Sequence, residues 1–383
     1  MNVQSPKAAQ DRQAVLRSFS SVYEPFSDAT CQTIAICGAQ VVWDLFERKF
    51  QSSYSPDAAA LADAIRPLVA EDLTFADAWS VPVGQMKTAL RSTCKTEGKA
   101  ALIGLALHLI EPGRALDWSG SVAGISGLCC LGQVIPEGQS LHILSDDTGI
   151  RIRVDGRTVI DGPVAASHRH PFAVMAPRTA ATRFRDVSPD ISTAPDSHVA
   201  EALDDALGLL AGLPDFERWV LRLTTRFVPL RIKGDIHLSR SFIHRPGLVC
   251  ASCPSSPTML AELLVHEATH QYFYMLGGLS PLDDGTDKTG YYSPVKDCKR
   301  PIFNILLAYH AFGNILLFHR AVMAKGNAPE PAFSRDRIAQ IEGYMPQFET
   351  SLAASPALTA SGQALWRPLA TRCAVPEFSD AVA

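Results

Sequence analysis

At 383 residues the chain has room for two domains of ordinary size, and with 47% hydrophobic and 19% charged residues it reads as a soluble globular protein. A net charge of −4 supplies no general attraction to nucleic acid or to anionic membranes, so neither is an expected partner. The opening MNVQSPKAAQDRQAV lacks the basic-then-apolar order of a secretory signal, which makes the cytoplasm the expected location.

Residues 10–115 have apolar positions recurring at three and four (Val41, Val42, Leu45, Phe46; Leu61, Ile65, Leu68) and are expected to be mostly helical. From about 121 to 175 the character changes. LHIL from Leu141 and IRIRV from Ile150 alternate in strand fashion around Asp146–Gly149, and a second turn at Asp155-Gly156 suggests a small antiparallel meander. Ala176–Ser197, rich in Pro, Ser, Thr and Ala, is the best linker candidate. The expected organisation is therefore a helical region with a small sheet over 1–195, suited to peptide recognition, and a second domain over 196–383. There a helix at Val199–Leu213 precedes three stretches that read as strands, at Trp219–Leu223, Phe227–Ile232 and Asp235–Leu238. The overall class is α+β.

The nine cysteines, Cys31, Cys37, Cys94, Cys129, Cys130, Cys250, Cys253, Cys298 and Cys373, are odd in number and irregularly spaced. That pattern indicates reduced thiols and no disulfide framework. Cys250-x-x-Cys253 has no second pair at zinc-ribbon spacing and reads as packing.

The chemistry concentrates after Ser256-Pro257, a hydroxyl N-cap followed by proline at the first helical position. The helix expected from there to Gly277-Gly278 carries His266-Glu267-Ala268-Thr269-His270. Positions i and i+4 share a helix face, so His266 and His270 can present imidazoles to one metal ion. Glu267 is placed to act as a base on metal-bound water or to hydrogen-bond a ligand.

Metal sites usually take a third protein ligand. No glutamate occurs between Glu267 and Glu330, and Phe273 and Leu276 stand where a metzincin needs Gly and His. The remaining candidates are His310, His319 and Asp283, Asp284, Asp287 and Asp297. Pro301–Phe318 runs 18 residues without a charge and carries Asn304, His310, Gly313 and Asn314, which suits a buried core helix better than a membrane span. His319 lies about 180° around that helix from His310, so only one of them can face the site. By itself His310 reads as a core histidine bonded to a carbonyl; beside a two-histidine motif it is the favoured third ligand. His168-x-His170 reads as surface.

The segments LAELLVHEATHQ from Leu260, YYSPVKDCKRP from Tyr291 and AYHAF from Ala308 together resemble the HExxH-type peptide β-hydroxylases. The resemblance is firm over about 245–320 and thin before residue 200. It implies a zincin-like metal domain and iron(II)/2-oxoglutarate-dependent hydroxylation of a side-chain β-carbon in a ribosomally made precursor peptide, with dioxygen as co-substrate. It further implies His266, His270 and His310 as iron ligands, Arg300 on the 2-oxoglutarate carboxylate, and Tyr292 and Ser293 as hydroxyl donors to the same anion. A guanidinium fork suits a carboxylate because it donates two parallel hydrogen bonds.

Two other readings stay open. A zinc-dependent metallopeptidase would use Glu267 as general base. A non-catalytic peptide-binding module would keep a structural zinc, with Cys298 as a source of the fourth ligand, and would take its peptide along an edge strand near Asp235–Val249.

Overall fold

The computed structural model describes residues 6–24, 27–131, 133–163, 173–174, 196–232, 236–326 and 328–375. His168, His170 and nearly all of Ala176–Ser197 lie outside the described residues.

The chain opens with helices α1 (Pro6–Ser18), α2 (Asp28–Phe50), α3 (Pro56–Glu71), α4 (Phe75–Ala78), α5 (Val81–Ala89) and α6 (Lys95–Ile110). Their starts are written locally. The Ser27 side chain accepts from the Thr30 amide at α2, and Thr74 and Asp77 cap α4 reciprocally. Of the apolar positions on α2, Val42 and Phe46 are buried while Val41 and Leu45 remain exposed.

The α5 helix shows how closely these elements approach. A Cβ built on Gly84 would lie 2.1 Å from the His244 carbonyl oxygen, whereas one on Gly277, also helical, meets nothing within 4 Å. Gly→Ala in a helix normally gains about 0.4–1 kcal/mol. Gly277→Ala is expected to show that gain in urea unfolding, and Gly84→Ala to be destabilising instead.

The meander follows as β1 (Leu116–Ser121), the short pair β2 (Cys129–Cys130) and β3 (Gln133–Val134), then β4 (Ser140–Ser145), β5 (Ile150–Val154) and β6 (Arg157–Gly162). β1, β4, β5 and β6 form one antiparallel sheet in that order, with Ile143 opposite Ile152. Its last turn uses Asp155 and Gly156, both at positive φ, as a tight hairpin between twisted strands requires.

The second half comprises β7 (Ala173–Val174), α7 (Ser197–Ala211), α8 (Pro214–Leu223), β8 (Arg226–Leu230), β9 (Ser239–Ser241), β10 (Leu248–Ser252), α9 (Pro257–Leu279), β11 (Tyr291–Ser293), β12 (Cys298–Arg300), α10 (Ile302–Ala324), α11 (Pro331–Ala354) and α12 (Ala360–Ala374). The strand expected at Trp219–Leu223 is the end of helix α8. Pro214 sits at its start, and Phe216, Trp219, Val220 and Leu223 are buried at helical spacing. Of Asp235–Leu238, Asp235 lies outside the described residues, Ile236 makes only an isolated bridge, and the strand begins at Ser239.

The second sheet is mixed, in the order β7-β8-β10-β9, with β10 parallel to β8 and antiparallel to the edge strand β9. α9 packs on β9 and β10 and is flanked by α7, α8 and α10. The fold is thus α+β: many helices around small sheets. The apolar core runs without interruption from Leu16 to Cys373, with α1 against α12 and α2 against α9, so it crosses the compositional boundary near residue 195.

Among the described residues α10 alone is long and apolar enough to span a membrane, and 78% of its most apolar stretch is buried inside the protein. All nine cysteines are free thiols. Burial pushes those of Cys250 and Cys253 up to about 12, in keeping with packing residues.

Candidate metal centre

The helix that carries the histidine pair is fixed at several points along its length. The Ser256 side chain accepts from the Met259 amide, and Pro257 occupies the first turn. Gln271 takes the Gly247 amide at 3.1 Å and donates to the Leu248 carbonyl at 3.2 Å, locking α9 to the start of β10. The Trp219 indole donates to Thr269 Oγ1 at 3.0 Å, joining α8 to the middle of the motif. The helix does not stop at Gly277-Gly278. Both glycines are helical, and the end comes at Leu279, with Ser280 extended beyond it.

His266 and His270 stand one turn apart with ring centroids 4.4 Å from each other and planes 80° apart. Phe312 of α10 lies edge-on to His266 at 5.6 Å, and Tyr274 is 6.2 Å from His270. Between the histidines the Glu267 side chain is 2% exposed, with Oε1 3.9 Å from His266 Nε2. Burial, reinforced by His266, His310 and Arg300, holds the His270 pKa well below its ordinary value. Its ring is therefore neutral at pH 7, the state that can ligate a metal.

His310 enters from α10 and is 1% exposed. Its Nε2 is 3.0 Å from the Phe19 carbonyl oxygen, so Nε2–H donates and Nδ1 keeps its lone pair. One turn on, Asn314 donates to the Ser20 carbonyl at 3.4 Å and accepts from the Val22 amide at 2.9 Å. The segment Phe19–Val22 is thus held on one face of α10, and it fixes the ring in return. Burial pushes the His310 pKa down to about 4, against the opposing pull of the Phe19 and Ser20 carbonyls. Phe273 and Trp219 cover the ring at 6.1 and 6.3 Å.

His319 points elsewhere, as the half-turn offset requires. Its Nε2 donates to Glu262 Oε2 at 2.8 Å, and Ser334 Oγ lies 3.2 Å from its Nδ1. Three of the four aspartates build turns and hairpin contacts. Asp284 accepts from Thr286, Asp287 from Tyr291 and Ser355, and Asp297 from Tyr292; Asp283 bridges to Leu358.

The β11–β12 hairpin precedes α10. Tyr291 lies opposite Arg300, and Ser293 opposite Cys298, so these four share one face while Tyr292 takes the other. Arg300 and Ser293 are therefore on a common face, but Tyr292 and Arg300 do not converge. Tyr292 is 45% exposed and its hydroxyl donates to Asp297 at 2.8 Å. Among the described residues Arg300 has no carboxylate partner, although it acts electrostatically on His270.

Whether these residues suit a metal can be judged from the polar atoms left over. Among the described residues Glu267 Oε2, His270 Nδ1, His310 Nδ1 and Ser293 Oγ are all buried without a hydrogen-bond partner. A buried polar atom without a partner costs about 1–3 kcal/mol, and such groups are rare unless water or an ion completes them. Four of the seven residues singled out by sequence have such unmet bonding capacity, as do buried groups elsewhere among the described residues, Thr258 and Trp366 for example. The same chain among the described residues shows no group of three or more His, Cys, Asp or Glu already gathered at ion-binding spacing. His270 and His310 are close enough to act on each other electrostatically across α9 and α10.

No protein-family model and no curated protein matches the chain. The site's chemistry therefore rests on its own residues. Two participants were missed in the sequence. Asn314 stands four residues after His310, a polar i, i+4 pair on an otherwise uncharged helix, and this spacing was a readable signal. Phe19 had none, because it contributes a backbone carbonyl from 291 residues away.

Proposed function

We propose that the chain is an iron(II)/2-oxoglutarate-dependent oxygenase that hydroxylates a side-chain β-carbon in a ribosomally made precursor peptide, with a zincin-like metal domain built around α9. The observation that carries this reading is the pairing of unpartnered imidazole nitrogens on His270 and His310 with an unpaired guanidinium, Arg300, acting on the same ring. His266, His270 and His310 would hold the metal, and three ligands leave open positions on an ion of octahedral preference. The Phe19 carbonyl orients His310 as outer partners of metal-bound histidines commonly do. Arg300 would hold the cosubstrate carboxylate through its fork, with Ser293 Oγ donating from the same face. Iron(II) chelated by 2-oxoglutarate supplies, when bound, the activation of dioxygen needed to place a hydroxyl on an unactivated carbon. Phe273, Trp219 and Phe312 keep the imidazoles away from bulk water. Glu267 would hydrogen-bond within the site or hold a proton there.

The test is made without peptide. Purified anaerobically, the chain with iron(II) and 2-oxoglutarate is expected to develop the visible charge-transfer band of the chelate, and Arg300→Ala to weaken it. Tightly bound zinc in the isolated protein with no such band would sink the oxygenase reading.

That outcome would favour a zinc peptidase, for which the buried, half-unsatisfied carboxylate of Glu267 beside His266 is the supporting observation. Glu267→Gln separates the two readings. A peptidase loses its base and nearly all turnover, and the charge-transfer band of an oxygenase persists.

A further inference from the structure

One turn beyond His270, the face of α9 that bears the histidines continues into a cavity of about 690 Å³. Its walls are Ile34, Val42 and neighbours on α2, Val83 on α5, and Phe273, Tyr274 and the two glycines on α9, with Phe303 also in the lining. The glycines matter to its shape. Cβ atoms built on Gly38, Gly277 and Gly278 would meet nothing within 4 Å, so the helices are bare of side chains where they border the open space. A concave, mostly apolar hollow of this size is typical of sites for small molecules.

Its charged lining has one sign. Lys87 in the last turn of α5 and Arg91 just past its end border the cavity, and among the described residues no aspartate or glutamate does. Among the described residues neither cation has a carboxylate or other acceptor. Burial, with Arg91 alongside, lowers the Lys87 pKa from its ordinary value, as befits an ammonium without a counter-ion. An apolar hollow bordered by two cations without a carboxylate partner among the described residues is complementary to a ligand with an apolar body and an anionic head.

We propose that this cavity binds a free apolar carboxylate, its head held by Lys87 and Arg91 and its chain lying against Val42, Val83, Phe273 and Phe303. A carboxylate accepts from an ammonium and a guanidinium at once, and each charge-assisted bond strengthens in a site with limited water. The inference is independent of the metal and of the oxygenase reading.

The experiment is calorimetric titration of the metal-free 383-residue chain with decanoate, 1-decanol and an acetylated Ile-Leu dipeptide bearing a free carboxylate. Decanoate is expected to bind saturably at one per chain, and decanol about tenfold more weakly, the equivalent of about 1.4 kcal/mol. Lys87→Gln combined with Arg91→Gln should bring decanoate down to the level of decanol without altering the thermal midpoint. Gly277→Leu, which places an isobutyl group in the open space, should remove binding of both. Absence of saturable binding overturns the proposal, as do equal affinities for acid and alcohol. Binding that survives both sets of substitutions would place the ligand elsewhere and overturns it as well. A dipeptide that binds more tightly than decanoate would make the occupant a peptide terminus and overturn the assignment to a free acid.

Discussion

Glu262→Ala is expected to destabilise the protein by about 3–5 kcal/mol in urea unfolding at pH 7, the range for removing one partner of a buried charge network. Glu262 sits one turn before His266 on α9 and is 4% exposed. It accepts from His319 Nε2 at 2.8 Å and from Arg337 Nε at 3.0 Å, with a further contact from Arg337 Nη2. The three residues belong to α9, α10 and α11, so this carboxylate ties together the two helices that carry the imidazoles. Removing it strands a fully buried imidazole N–H and leaves the part-exposed Arg337 guanidinium its contact with Gln340.

The pH dependence follows from the same geometry. Burial alone would raise the Glu262 pKa, but the hydrogen bonds from His319 and Arg337 outweigh it and hold the group at about 2, below its ordinary 4.5. A carboxyl lowered by folding stabilises the native state above its unfolded pKa and loses that contribution as pH falls through the folded one. The shift corresponds to about 3 kcal/mol. The stability gap between wild type and Glu262→Gln should therefore be full at pH 5 and above and shrink from pH 4.5 toward 2. A gap that stays constant over that range would show that the carboxylate is not the stabilising species.

What the sequence conveyed about these elements depended on how local the cause was. The histidine pair, the Ser256-Pro257 start and the Asp155-Gly156 turn all arise from spacing or backbone preference within a few residues, and each is found where expected. Trp219–Leu223 misled because five residues cannot separate period 2 from period 3.6. Extending the window to Pro214 brings in Phe216 and the helical spacing. Gly277-Gly278 misled for a different reason. Glycine ends a helix by adopting positive φ, and neither of these two does so.

Within the site, the sequence grouped Tyr292 with Ser293 on one anion, whereas alternation along β11 turns Tyr292 to the face opposite Tyr291 and Ser293. The cross-strand register that decides which of them joins Arg300 was not written in any local signal. The role of the N-terminal region was the least legible. Its contribution to the centre passes through the backbone of Phe19, Ser20 and Val22, and a backbone carbonyl leaves no mark in an amino-acid sequence.

His310→Ala is expected to reduce iron(II) affinity more than any substitution outside the ligand set, read by anaerobic metal titration. The imidazole does two things at once. Its Nε2–H is committed to the Phe19 carbonyl, and its Nδ1 is buried with no partner. The commitment of one nitrogen is what fixes the direction of the other's lone pair. Asn314→Ala separates these functions, because it loosens Phe19–Val22 while leaving the imidazole in place. Loss of an outer partner typically costs 10–100-fold in metal affinity. Asn314→Ala, which loosens that partner without removing it, should cost no more than this range and His310→Ala should exceed it, with circular dichroism confirming that both variants are folded. If His310→Ala bound iron(II) as the wild type does, the imidazole would be a core residue held by one carbonyl. The third ligand would then have to come from another side chain, and the Phe19 contact would matter only for joining α1 to α10.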